Sequence, residues 1–181
     1  HIEGTLEPEL MFELAGRNNV PIHYKSIDEV KKAYNYNDLQ GFLNIYYESA
    51  KVILNEEDFY DLTYAYLKRV REENVLHTEI FFDPQTHTNR GIRFSTVING
   101  IYKALIDAEQ RLGISSRLIM CFLRDLDQNS AMETLKQAEP FKDLITAVGL
   151  DSAEVGNPPE KFEEVFKAAR AMGFLGVAHA G

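Results

Sequence analysis

From Glu56 to the C-terminus, amphipathic helical stretches alternate with short apolar runs, and polar residues follow the runs. Apolar strands alternating with amphipathic helices belong to parallel sheets covered by helices. A doubly wound sheet would normally carry a glycine-rich phosphate turn after its first strand, and no GxGxxG occurs. The residues at the ends of the runs, Asp83, Arg124-Asp125, Asp151 and His179, fall instead where a β/α barrel gathers its chemistry. These observations predict an α/β fold of the β/α (TIM) barrel kind. Such a barrel takes about 250 residues, and only four full strands are visible in 181 residues. The expectation is therefore one domain over residues 1–181, about the first half of a barrel and truncated at both ends.

The elements follow from periodicity. Glu7–Arg17 reads as a helix with Pro8 in its first turn. Ile27–Tyr34 follows, then Leu39–Leu54, whose apolar residues Leu39, Phe42, Leu43, Tyr46, Ala50 and Ile53 recur at helical spacing. Glu56–Glu73 places Phe59, Leu62, Tyr66, Leu67 and Val70 on one face, and its acidic first turn suits the helix dipole. Val75–Phe82 is apolar, β-prone and stopped by Asp83-Pro84, so it predicts a buried strand. DPQTHTNRG reads as a polar loop before a helix over Phe94–Leu112. Strands are expected at Arg117–Leu123, Leu144–Leu150 and Phe174–Ala178, parallel and adjacent in that order, with helices near Ser130–Ala138 and Lys161–Met172 between them. No repeat, low-complexity tract or linker interrupts the chain.

Composition narrows the function. Hydrophobic residues make up 45% and charged residues 26%, the balance of a soluble globular domain rather than of disorder, collagen or a coiled coil. The formal charge of −9 repels a phosphate backbone and an anionic bilayer, so neither nucleic acid nor membrane is expected as a partner. A neutral or cationic small molecule suits that charge. The single cysteine, Cys121 in RLIMCFL, excludes an internal disulfide and a cysteine-pair metal clip, and reads as a buried, inert thiol. With no signal peptide and no apolar stretch near the roughly 20 residues that span a bilayer, a cytoplasmic location is expected. The missing leader weighs little, because the chain begins at His1 without methionine.

Several residues are candidates for chemistry. His1 and His179 each sit beside small residues that leave room for a metal or substrate. By spacing alone they read rather as two unrelated histidines, since a catalytic zinc needs about three protein ligands and an open position. His87 reads either as a proton donor over the pocket or as a solvated loop histidine. His23 and His77 look structural, the latter on the side away from catalysis. Asp151 and Glu154 form a carboxylate pair on one loop, able to bind polar substrate edges or to cap the next helix. The tyrosine stripe from Tyr34 to Tyr66 reads as core packing.

HIEGTLEPEL resembles the opening motif of the adenosine/adenine deaminase family, H-x-H-(L/I)-(D/E)-G, and GVAHAG resembles that family's HAGE motif without its glutamate. FFDPQTHTNRG and GLDSAEVGNPPEKF look more like the adenine deaminase (adenine aminohydrolase) branch than the adenosine branch. The resemblance spans the whole chain, with its motifs in order. It implies a zinc-dependent β/α barrel of the metal-dependent hydrolase superfamily. The implied reaction is hydrolytic conversion of adenine to hypoxanthine and ammonia, a step of purine salvage, with zinc-bound water as nucleophile. His1 matches the second histidine of the opening motif and His179 the third metal ligand. The first histidine would lie two residues before His1, and the glutamate that protonates the ring nitrogen would follow Gly181. The later histidine and aspartates also have no counterpart, so no catalytic acid or base is expected within this chain. One cysteine also excludes the His/Cys/Cys or Cys₃ zinc set of other nucleobase deaminases.

The resemblance also bears on substrate. The adenosine branch has an aspartate at the Glu3 position and a glycine at the Glu154 position. Glutamate at both adds bulk and acceptors, so Glu3 and Glu154 are expected to point into the cavity and to select the free base. Two other readings stay open: a deaminase for adenosine or an N6-substituted purine, and a purine-binding family member without catalytic residues. Oligomeric state is not legible.

Overall fold

A computed structural model of the chain describes residues 1–178. Its sheet has four parallel strands, β1 (His77–Phe82), β2 (Ser115–Leu123), β3 (Ala147–Asp151) and β4 (Leu175–Gly176), hydrogen-bonded in sequence order. The registers run Phe82 opposite Met120, Met120 opposite Val148 and Val148 opposite Gly176. Among the described residues the strand order does not reverse, so they contain no switch point of the kind a doubly wound sheet needs. The parallel pairing and order expected for the four runs are both found, with ends shifted by a few residues. Ile2 N–H adds a further contact, donating to the Phe81 carbonyl at 2.8 Å and laying the N-terminus along the outer edge of β1.

Among the described residues eight α-helices precede or connect the strands: α1 (Pro8–Asn18), α2 (Ile27–Ala33), α3 (Leu39–Ala50), α4 (Glu56–Glu72), α5 (Pro84–Thr88), α6 (Phe94–Leu112), α7 (Gln128–Ala138) and α8 (Glu163–Ala171). Several begin or end for a local reason. Pro8 opens α1, the Ser26, Asp38 and Asp127 side chains accept the first backbone N–H groups of α2, α3 and α7, and Gly113 at φ 66° stops α6. At the head of α4 the buried Asp58 carboxylate accepts from Leu54 N, Asn55 N, Asn18 and Arg17.

The segment DPQTHTNRG departs from expectation. Its first half is α5, and Pro84, Gln85, Thr86 and His87 are buried. The polar composition misleads because the Gln85 and His87 side chains find partners inside the protein, while the Thr86 hydroxyl is buried without one among the described residues. Gln85, for example, accepts from Leu123 N at 2.8 Å and donates to Ser130 Oγ at 2.7 Å, tying β1, β2 and α7 together.

The core lies between the sheet and its helices, with Phe59, Phe82, Phe122 and Phe162 fully buried in it. Among the described residues no helix is long and apolar enough to cross a membrane. Helices α4 and α6 meet closely at Gly100, where a Cβ would stand 2.3 Å from the Glu56 carbonyl oxygen and 2.6 Å from Phe59 Cβ. Gly100→Ala gains up to about 1 kcal/mol in helix propensity. The forced separation outweighs this, and we expect a net loss of about 1–3 kcal/mol, read by calorimetry as a lower Tm. An unchanged or higher Tm contradicts the close approach.

Candidate functional site

The site begins where the N-terminal segment reaches the C-terminal end of β1. Pairing of Ile2 with Phe81 fixes the backbone there, and the His1 ring stacks on Phe81 with centroids 5.1 Å apart. The His1 Nδ1–H donates to Asp83 Oδ1 at 2.8 Å, and Asp151 Oδ2 lies 3.6 Å from the same nitrogen. Three side chains from two strand ends therefore converge: His1 beside β1, Asp83 after β1, and Asp151 closing β3. Ligand atoms of His1, Asp83 and Cys121 lie within 4.8 Å of one another. Gly149 makes room for the thiol, since a Cβ there would approach Cys121 Sγ to 3.1 Å.

Beneath this cluster lies a buried polar network. The Glu3 carboxylate accepts from Asp83 N at 3.0 Å and His87 Nε2 at 3.1 Å, with the Tyr46 hydroxyl 3.2 Å from its second oxygen. Tyr46 also donates to Asp83 Oδ2. Arg90 lies behind His87, 3.0 Å from Nδ1, and donates to the carbonyls of Ala50, Lys51, Ile53 and Thr86.

Packing acids together shifts the equilibria of Asp83 and Asp151. Burial pushes Asp151 well above the usual carboxylate range, and the neighbouring Asp83 charge pushes it further. Burial also acts upward on Asp83, but the hydrogen bond and charge of His1 outweigh it and leave Asp83 lowered. Burial lowers His1, yet bonding to Asp83 leaves it raised overall. Burial, then the charges of Asp83 and Glu3, hold the Tyr46 hydroxyl protonated well beyond its ordinary value. Asp151 Oδ1 is buried with no hydrogen-bond partner among the described residues.

Above the cluster opens a cavity of about 570 Å³, within the usual range for small-molecule sites. One wall is apolar, from Leu39, Phe42 and Leu43 on α3, and the other carries Asp151, Arg124 and Glu154. The two walls are joined by the Tyr47 hydroxyl and Ser152 Oγ, 2.8 Å apart. Ser152 adopts φ 74°, a left-handed conformation that costs a serine energy and that the Tyr47 bond helps to hold.

The expected site residues are distributed unevenly. His1 stands at the strand ends, as expected for a ligand; His179 lies outside the described residues. Glu154 lines the cavity, but its side chain is 76% exposed at the rim, with Arg124 3.6 Å away. Glu3 is a correction. It lies below the cavity floor, 2% exposed, because the Asp83 N–H and His87 capture its carboxylate from the far side. His87 is neither solvated nor over the pocket, but fully buried edge-on to Phe59. His77, at the opposite end of β1, bonds Ser115, and His23 is exposed. Sequence reasoning missed Tyr46 as a polar member of the site. Its hydroxyl is the part that periodicity does not register.

The sequence profile described as adenosine deaminase matches residues 1–181. The chain belongs to the adenosine deaminase family. It is 62% identical over its whole length to adenine deaminase from Acinetobacter baylyi and 61% identical to that from Crocosphaera subtropica, covering 54% and 56% of those proteins. The structure matches the crystal structure of adenine deaminase from Arthrobacter aurescens with a TM-score of 0.97 at 48% identity, over 100% of this chain and 55% of that one. An amidohydrolase from Burkholderia ambifaria, solved with bound Zn, matches at 0.88 and 28% identity, over 100% of this chain and 50% of that one. The chain thus spans about half the length of these family members.

Within this arrangement Tyr46 supplies the hydroxyl shared by two buried acids. Tyr46→Phe leaves Asp83 and Glu3 each short of a contact, and we expect a loss of about 1–3 kcal/mol. A urea titration should show a lower midpoint at unchanged slope; an unchanged midpoint contradicts the role given to the hydroxyl.

Proposed function

We propose that the protein carrying this chain is a zinc-dependent adenine deaminase, converting adenine and water to hypoxanthine and ammonia in purine salvage in the cytoplasm. Identity of about 60% to adenine deaminases over the full chain supports the reaction. The observation that carries the metal is the His1–Asp83 pair at the strand ends, with the orphaned Asp151 oxygen beside it. A ligating histidine characteristically donates its other ring N–H to a carboxylate, which fixes the tautomer. Here Asp83 takes the Nδ1 proton, so the lone pair belongs to Nε2. A divalent cation also answers the local excess of buried carboxylates, which no fully ionised arrangement of protein groups balances. His1, with His179 as the motif's next ligand, would hold the metal.

Bound zinc supplies a Lewis acid that lowers the pKa of water and makes a hydroxide equivalent available at neutral pH. The chain's own residues do the rest. Leu39, Phe42 and Leu43 offer an apolar wall to the purine faces. Asp151 is the acceptor nearest His1 on the cavity side and would orient the attacking water. Glu154 at the rim would accept the N–H that free adenine carries where adenosine has its sugar, while its bulk opposes a ribose. The discrimination is smaller than a buried carboxylate would give, because the Glu154 side chain meets solvent. Glu3 acts on the site through Tyr46 and Asp83.

Steady-state kinetics on the full-length protein with adenine and adenosine test the reading. Glu154→Gln should lower kcat/KM for adenine by about 10-fold or more, the worth of one hydrogen bond to a charged group, with the melting temperature unchanged. Equal turnover of adenosine and adenine by the wild type contradicts the free-base assignment. His1→Ala should lose bound zinc and activity together; retention of both contradicts the metal site.

A further inference from the structure

His87 and Arg90 lie outside the cavity, yet they end a continuous hydrogen-bonded path to His1. A guanidinium has donors only. Arg90 Nη2, 3.0 Å from His87 Nδ1, therefore makes that nitrogen an acceptor and puts the ring proton on Nε2. From Nε2 the proton points at Glu3 Oε1, 3.1 Å away. The same Glu3 oxygen takes the Asp83 backbone N–H at 3.0 Å, and the other lies 3.2 Å from Tyr46, whose hydroxyl bonds Asp83 Oδ2. Asp83 Oδ1 then receives the Nδ1 proton of His1 at 2.8 Å.

The links from Arg90 to His87, His87 to Glu3, the Asp83 N–H to Glu3 and His1 to Asp83 are directional, and the path leaves little slack. His87 is fully buried, packed edge-on to Phe59 with centroids 4.7 Å apart, so its ring plane is fixed. Arg90 is fixed in turn by four backbone carbonyls, three of them from the segment ending α3. The alternative His87 tautomer would aim an N–H at the guanidinium and a lone pair at the Glu3 carboxylate, a repulsive contact at both ends.

We propose that His87 is a positioning residue for the metal end of the site. Its tautomer is set by Arg90, and it holds Glu3 so that Asp83 and Tyr46 present the carboxylate that orients His1. This rests on the reading of His1 as a metal ligand. Outer partners of ligating histidines are typically worth about 10–100-fold in metal affinity, and a partner acting through two intermediaries falls at the lower end of that range.

The test is zinc affinity of the full-length protein, stripped of metal and titrated against a chromophoric chelator. His87→Leu keeps the volume and removes the donor, and it should weaken zinc binding by about 10-fold. His87→Gln places an amide N–H near the original Nε2 position and should recover most of that loss. A purely structural role would lower the melting temperature without separating the two variants in zinc affinity. Wild-type protein that binds no zinc overturns the metal reading and this inference together. Wild-type binding with unchanged affinity in His87→Leu, or equal losses in Leu and Gln, overturns this inference alone. Should His87→Leu fail to fold, nitrogen chemical shifts of ¹⁵N-histidine-labelled wild-type protein decide: protonation at Nε2 is expected, and an Nδ1–H tautomer overturns the proposal.

Discussion

The hydrogen bond from His1 to Asp83 joins the edge of the sheet to the end of its first strand, and the site is organised around it. It spans 82 positions in sequence, bridging the chain across α1 to α4, and lies next to the pairing of Ile2 with Phe81. On one side of it lies the cavity, with Asp151 3.6 Å from the same nitrogen. On the other lies the network of Glu3, Tyr46 and His87, which satisfies the buried polar atoms of Asp83. Removing one partner of a buried charged pair leaves the other uncompensated, which is where such pairs become costly.

Charge balance explains why this end of the sheet is adapted to binding rather than to stability. Glu3 and Asp83 are essentially inaccessible to solvent, and Asp151 is nearly so. The cations nearby are committed elsewhere: Arg90 to backbone carbonyls and His87, Arg124 to the Asn157 carbonyl and the exposed Glu154. The excess is felt at Asp151, whose carboxyl is pushed well above the usual carboxylate range by burial and then by the Asp83 charge. A polar cluster under such compromise is the usual mark of a functional site, where local consistency yields to chemistry.

Much of the fold was legible because parallel strands buried on both faces read as uninterrupted apolar runs, and RLIMCFL is an example. The strand order followed from the regular alternation of helices and strands. The segment after β1 was misread, since Pro84-Gln85-Thr86-His87 has the composition of a surface turn and only tertiary hydrogen bonds make its burial possible. His1 and Glu154 were found through motifs, and each lines the cavity. Glu3 was assigned to the wrong side of the floor because a motif gives a position along the chain but not the direction of a side chain. Tyr46 sits in a helical stripe of apolar character, and nothing in that pattern distinguishes a tyrosine used for its ring from one used for its hydroxyl. Its partners, Glu3 and Asp83, lie 43 and 37 positions away.

The central claim is that Asp83 fixes His1 so that Nε2 faces a metal at the strand ends. Anomalous diffraction at the zinc edge, from crystals of the full-length protein, tests it most directly. The account predicts a single strong peak about 2.0–2.1 Å from His1 Nε2, with Nδ1 still bonded to Asp83. A peak on Nδ1 with Asp83 displaced, or no peak at the strand ends of zinc-loaded crystals, would contradict it.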